Sequence, residues 1–224
     1  MSYLPWLAGG AALGLAARSG RRAVPTRSYH LSAHKFDHFK QAQPLSSRKG
    51  VDLGFHFGTQ QTALTAANKL YREGRVKPGD TVYLYEVALD TRRPLVLAED
   101  RLGGWHASDI LQRIFEGERT EDELVRMGFT AEDVDGYFDD EGPISPSGEN
   151  LKDLWWDPVQ EQNETVAWLE SRGYNAIEYA NTFEGGGLSH IVFRPTQVKI
   201  LNVTPYTVPD YAGAASRRTR RHKR

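Results

Sequence analysis

Nine consecutive residues, Thr81 to Leu89 (TVYLYEVAL), constrain the fold more than any other stretch of the chain. β-Branched and aromatic side chains dominate the run, which suits a pleated, half-buried strand. Lys77-Pro78-Gly79-Asp80 supplies a turn before it. Helical patterns lie on both sides. Ala63, Ala66, Ala67, Leu70 and Tyr71 recur at helical spacing behind a Thr59 N-cap, with Gly74 as the stop. Ser108 is placed to cap a helix that carries Ile110, Leu111, Ile114 and Phe115 on one face. Thr120 and Glu123 match a capping box for another, ending at Gly128, and Thr130 with Asp133 marks a weaker start. Glu164 to Arg172 reads as helical, with Gly173 at its end. Further strands are expected at Arg27–Leu31, Gly54–Gly58, Pro94–Ala98, Ala176–Ala180, Ser189–Pro195 and Gln197–Val203. Strands and helices do not alternate strictly, so the pattern predicts α+β rather than a doubly wound parallel sheet.

Twenty-four aromatic residues in 224 are enough for a packed core. The length predicts one domain, residues 28–210, between an N-terminal arm and linker (1–27) and a basic tail (211–224). Cysteine is absent, so disulfides, thiolate metal sites and a Cys nucleophile are excluded; a reducing compartment fits. The net charge of −1 hides an asymmetry. Residues 1–50 carry eight Lys/Arg against Asp37 alone, and residues 211–224 carry six with no acid, which leaves 51–210 at −14. An acidic body argues against a reader of the DNA groove, whose surface must neutralise phosphates.

No apolar run is long enough to span a bilayer. The nearest, Tyr3 to Ala17, precedes Arg18, Arg21 and Arg22, whereas a secretory signal places its charge ahead of the apolar run. Residues 1–22 are therefore read as a segment docking on a protein partner, a helix lying at a membrane interface, or a frayed tail. Arg217, Arg218, Arg220, Arg221, Lys223 and Arg224 would make nonspecific phosphate contacts, serve as a nuclear-targeting run, dock on an acidic protein surface, or stay solvated.

The common catalytic signatures are missing: no GxxxxGK[ST], no GxGxxG after a strand, no HExxH and no GxSxG. His30, His34 and His38 would line one face of a helix, but His30 falls on an expected strand, so no metal is expected there. Asp139, Asp140 and Glu141 lack calcium-loop spacing and read as a solvated turn. Trp105-His106 and Trp155-Trp156 read as packing under loops, with a nucleobase stack as the alternative.

Four separated segments share one resemblance. Tyr29-His30-Leu31-Ser32 resembles the first-strand "Y-H-G-[ST]" element of ADP-ribosyltransferases of the His-Tyr-Glu type. Gly54-Phe55-His56-Phe57-Gly58-Thr59 and the Ala-rich helix are similar to their "G-x-Y-F-[AST]" strand and helix. Val82 to Asp90 followed by Pro94-Leu95 resembles the "strand, then N-P-L" element of the small ADP-ribosyltransferase-like domains of phages and mobile elements. Gly173-Tyr174-Asn175-Ala176-Ile177 and Ile191 to Lys199 (IVFRPTQVK) resemble that group's "G-Y-D-G-I … V-V-F-D-P-x-Q-I-K" ending.

The resemblance implies a split antiparallel β-sandwich with flanking helices and an NAD cleft between the sheets. It implies mono-ADP-ribosylation of a macromolecular acceptor, in a host cytoplasm or a virion. Breaking the nicotinamide–ribose bond develops positive charge on the sugar, so the site needs donors, a flat surface and an anion. By the resemblance His30 holds a ribose hydroxyl, the Leu31 backbone grips the nicotinamide amide, and Ser32 adds a polar contact. His56, in the tyrosine position of "G-x-Y-F", packs against nicotinamide. Two departures stand out. The helix tyrosine of the family falls at Ala66 or Ala67, with Tyr71 one turn on as its substitute. The catalytic glutamate falls at Ser189, and Glu184 in the glycine-rich segment is the substitute, ahead of Glu178. The residues also allow plainer readings: His30 as a core-edge imidazole bonded to a backbone group, His56 as a strand residue facing water, Glu184 as a loop acid. On those, the chain is a catalytically inactive structural or interaction protein of the same fold, docking through its apolar arm and basic tail.

Overall fold

The computed structural model describes residues 26–40, 52–97, 105–115, 119–138, 142–182, 184 and 186–210. The apolar arm, the acids 139–141, Gly185 and the basic tail lie outside the described residues.

The architecture is α+β, with two sheets and five α-helices among the described residues. The first sheet joins β1 (Thr26–Ser32), β3 (Thr81–Leu89) and β7 (Val198–Thr207), antiparallel throughout, with the long central strand where the TVYLYEVAL run predicts it. The second runs in the order β2 (Phe55–Phe57), β6 (Leu188–Val192), β5 (Ala176–Ala180), β4 (Pro94–Leu97). One correction concerns this sheet: β4 and β5 pair in parallel. Parallel neighbours need a long crossover. The chain between Leu97 and Ala176 provides it, with α2 (Ala107–Phe115), α3 (Glu121–Met127), α4 (Ala131–Phe138) and α5 (Pro158–Ser171).

Period-two alternation assigns each strand face to a different core. Tyr85, Val87 and Leu89 of the first sheet meet Phe57, Ala176 and Val192 of the second. On the far side of the first sheet, Leu31, Val82 and Leu84 pack on Ala63 and Ala67 of α1 (Gln60–Arg72). On the far side of the second, Leu95, Ile177 and Ile191 pack on Ile110, Leu124, Trp168 and Leu169. The small Ala stripe lets α1 lie close to the sheet.

Local chemistry sets the helix ends. Thr59 accepts a hydrogen bond from the Thr62 N–H at 3.1 Å and starts α1. The Thr120–Glu123 box starts α3, and Gly128, at φ 99°, closes it. Thr130 and Asp133 exchange bonds of 2.7–3.1 Å at the start of α4. Other boundaries move. Helix α2 begins one residue ahead of Ser108, whose N–H donates to Glu161, while Asp109 accepts from the His106 N–H. Helix α5 begins at Pro158 rather than Glu164, because the Asp157 carboxylate accepts from the Val159 and Gln160 N–H groups. Strand β1 starts at Thr26, inside the expected linker, and β6 stops at Val192. Trp105 is buried, but Trp156 is 65% exposed, against the packing expected of it. Among the described residues no helix is long and apolar enough to cross a membrane.

Candidate functional site

Beside the packed interface of the two sheets, one backbone bridge joins them among the described residues, and a cleft forms there. Tyr29 of β1 and Gly58, just past β2, exchange two backbone hydrogen bonds of 2.8 and 3.0 Å. Gly58 is required by proximity. A Cβ there would lie 2.8 Å from Thr62 Cγ2 and 2.9 Å from Ser189 Oγ. Around this bridge His30, Leu31, His56, Tyr179, Asn181, Glu184 and Ser189 line a small cleft of about 60 Å³, partly open to solvent. Sites that bury a whole drug-sized ligand run from about 300 Å³ upward, so this cleft takes only a small end group of a larger molecule, the rest lying outside it.

The bridge leaves backbone groups behind it. Along an antiparallel strand, successive residues turn their N–H and C=O to opposite edges. Tyr29 faces Gly58, so Leu31, two residues on, faces the same edge. β1 is the outermost strand of its sheet, and among the described residues Leu31 has no backbone partner on that edge. One donor and one acceptor are therefore presented at the cleft.

The His30 side chain is half-buried among aromatic rings. Phe36, Phe39, Phe57 and Tyr85 surround it with ring centres 5.4–6.5 Å away. Its Nδ1–H donates to the His56 carbonyl at 3.0 Å, which fixes the tautomer and leaves Nε2 as an acceptor. Burial pushes the imidazole below its ordinary range, the carbonyl bond opposes this, and the nearby His56 charge adds to the lowering. His30 is thus a neutral ring at neutral pH. The aromatic residues around it come partly from 33–40, where Phe36 shares hydrogen bonds with the Tyr85 hydroxyl at 2.6 and 3.1 Å.

His56 points to the opposite face of its strand. Its ring lies 6.1 Å from Trp105, and Nε2 is 3.7 Å from Asp52, whose other oxygen is 3.8 Å from His106. Trp105 lies 3.9 Å, ring centre to ring centre, from the cleft residue Tyr179.

Glu184 lines the same cleft from the β5–β6 turn. One carboxylate oxygen accepts from Asn181 Nδ2 at 3.0 Å, and the Glu184 N–H donates back to Asn181 Oδ1 at 2.9 Å. Its other oxygen makes no hydrogen bond among the described residues. Asn181 also reaches Ser189 Oγ at 3.3 Å, and its N–H donates to the Gly187 carbonyl at 2.9 Å. Thr62 ties the same loop to α1 by donating to the Gly186 carbonyl at 3.0 Å.

Of the residues singled out from sequence, the structure therefore gathers His30, Leu31, His56 and Glu184 at one cleft. Two sit elsewhere. Tyr71 packs with Ala67, Val76 and Leu84 in the core under α1, because the helix turns that face to the sheet. Ser32 is absorbed in a local turn, its hydroxyl accepting from the His34 N–H at 3.1 Å. Asn181 and Thr62 belong to no motif and escape sequence reading; only the β5–β6 turn brings them to Glu184. Glu178 lies on the other face of β5, 3.0 Å from the buried His190. Among the described residues no three metal-ligating side chains converge, and His34 and His38 are exposed. No family model matches the chain, and neither does a curated protein or a solved structure.

Proposed function

We propose that the cleft takes the nicotinamide-riboside end of NAD and that the chain transfers ADP-ribose to a macromolecular acceptor. The reading rests on the resemblance of four ordered segments and is carried by one observation. The Leu31 edge, unpaired among the described residues, and the Glu184 carboxylate line the same cleft. A primary amide such as that of nicotinamide is matched by one backbone donor and one acceptor on a strand edge. In the reaction, the bond between nicotinamide nitrogen and ribose C1′ breaks, and nicotinamide leaves with the electron pair. A bond forms from an acceptor oxygen or nitrogen to C1′, and the acceptor proton passes to solvent. Glu184 supplies negative charge where the sugar becomes positive. His30 Nε2 supplies an acceptor for a ribose hydroxyl.

The test is nicotinamide release from NAD by the full chain. Glu184→Gln is expected to lower the rate by about 10²–10³-fold, as when other preorganised charge partners are removed, with NAD binding retained. A folded wild type that neither releases nicotinamide nor binds NAD in calorimetry sinks the reading.

A second reading keeps the fold without the reaction: an inactive structural or interaction protein, such as a virion component. The aromatic packing around the His30 ring favours it. On that reading NAD is not consumed, and deleting residues 1–22 or 211–224 abolishes assembly with a protein or nucleic-acid partner.

A further inference from the structure

We propose that Asn181 is a positioning residue that fixes the Glu184 carboxylate at the cleft. The inference deepens the ADP-ribosyl-transfer reading and rests on it for its catalytic consequence. Asn181 is only 2% exposed and lies just past β5 at the cleft wall, where a buried amide is costly unless its groups are paired. Among the described residues its bonds go to the turn that carries Glu184 and to Ser189 at the start of β6. Its Nδ2 donates to Glu184 Oε2 at 3.0 Å and to Ser189 Oγ at 3.3 Å. Its Oδ1 accepts from the Glu184 N–H at 2.9 Å, and its own N–H donates to Gly187 at 2.9 Å.

The carboxamide therefore grips Glu184 twice, once by the backbone and once by the carboxylate. Two contacts from one planar group set the direction of the carboxylate as well as its place. The second oxygen is left for the cleft. Thr62, bonded to Gly186 at 3.0 Å, holds the other side of the loop against α1. Asparagine suits the position because one amide offers a donor and an acceptor at once. Aspartate would keep the acceptor for the Glu184 N–H and place an anion against its carboxylate.

The experiment combines two readouts on the full chain. The first is amide hydrogen exchange at the Glu184 N–H, which needs no activity. Asn181→Ala is expected to accelerate it, and Asn181→Asp to leave it protected. The second is a double-mutant cycle on nicotinamide release with Asn181→Ala and Glu184→Gln. Asn181→Ala should lower kcat by about 10²-fold, the scale of a 1 Å misplacement, with KM for NAD within about twofold. The double variant should be no slower than Glu184→Gln alone, because the two act as one unit. Additive losses, a change in KM alone, or unchanged exchange at Glu184 in Asn181→Ala would overturn the inference. Should the wild type release no nicotinamide, the transfer reading falls on its own, and the exchange measurement still decides whether Asn181 holds Glu184.

Discussion

Two acids, one in the helical layer and one at the cleft, are held in different ways. Asp133, in the helical layer, is 3% exposed and fully engaged. It accepts from Trp168 Nε1 at 2.9 Å, from the Thr130 N–H and hydroxyl at 2.7 and 2.9 Å, and from Arg172 in a fork of 2.6–3.1 Å. Burial alone would push its carboxyl up; the Arg172, Thr130 and Trp168 bonds outweigh that and hold it below the usual range. Glu184, at the cleft, has no cation paired with it among the described residues, and Asn181 holds one of its oxygens. A carboxylate with every lone pair engaged and its charge neutralised is a structural part. One held in place with an oxygen left over is arranged to meet something else. The difference separates a folding element from a candidate site without any reference to conservation.

The comparison breaks most sharply at Asp133. Arg172→Ala leaves that carboxylate buried without its counter-charge, a change that costs about 3–5 kcal/mol in comparable pairs. Urea unfolding should show a loss of this size, partly restored by Asp133→Asn in the same chain. Binding of nicotinamide riboside to the folded fraction should not change, because the two acids sit in separate layers. Parallel loss of binding would mean that the helical layer shapes the cleft.

Gly58 sharpens the other side. Its Cβ would collide with Thr62 and Ser189, so Gly58→Ala must push apart the bridge, the start of α1 and β6 together. Overpacking of this kind costs about 1–3 kcal/mol. Adding Thr62→Ser, which removes the methyl group at 2.8 Å and keeps the hydroxyl bonded to Gly186, should recover part of it. Denaturation midpoints of the single and double variants measure both effects. No recovery would show that Ser189 or the bridge itself, rather than the Thr62 methyl, carries the strain.

These features were unequally legible in the sequence. Caps at Thr59, Thr120 and Thr130 could be read because a cap is a local exchange between a side chain and a nearby backbone group. The Asp157-Pro158 start of α5 has the same local signal, and the apolar pattern from Val166 onward drew the boundary too late. The parallel β4–β5 pair could not be read, since local patterning says nothing of which strand lies next to which after a crossover of four helices. The placing of His30 on a strand was correct, but its aromatic packing depends on Phe36 and Phe39, in a stretch with no regular period. Asn181 carried no signal, because an asparagine in a turn is ordinary until its two partners are known.

The smallest effect, one proton at one ring, tests whether the aromatic packing around His30 keeps it neutral in solution. The folded state keeps this imidazole neutral below its ordinary pKa, whereas the unfolded chain protonates near pH 6.5. As pH falls through 6.5, the unfolded state therefore binds a proton that the folded state refuses, and stability declines until the folded pKa is passed. Above that window the ring adds nothing to the pH dependence of stability. Replacing the ring by an uncharged group of similar shape, His30→Asn, should lower stability at pH 7.5 through the lost packing but flatten the decline that begins as pH falls through about 6.5. Asp133 cannot mimic the signal: its depressed carboxyl contributes stability that is lost only at still lower pH, as it protonates. If the acid limb of the His30→Asn variant runs parallel to the wild type, the ring is open to water and available to a ribose. A flattened limb shows that the surrounding rings hold the half-buried imidazole neutral, and a ribose then meets it in that form.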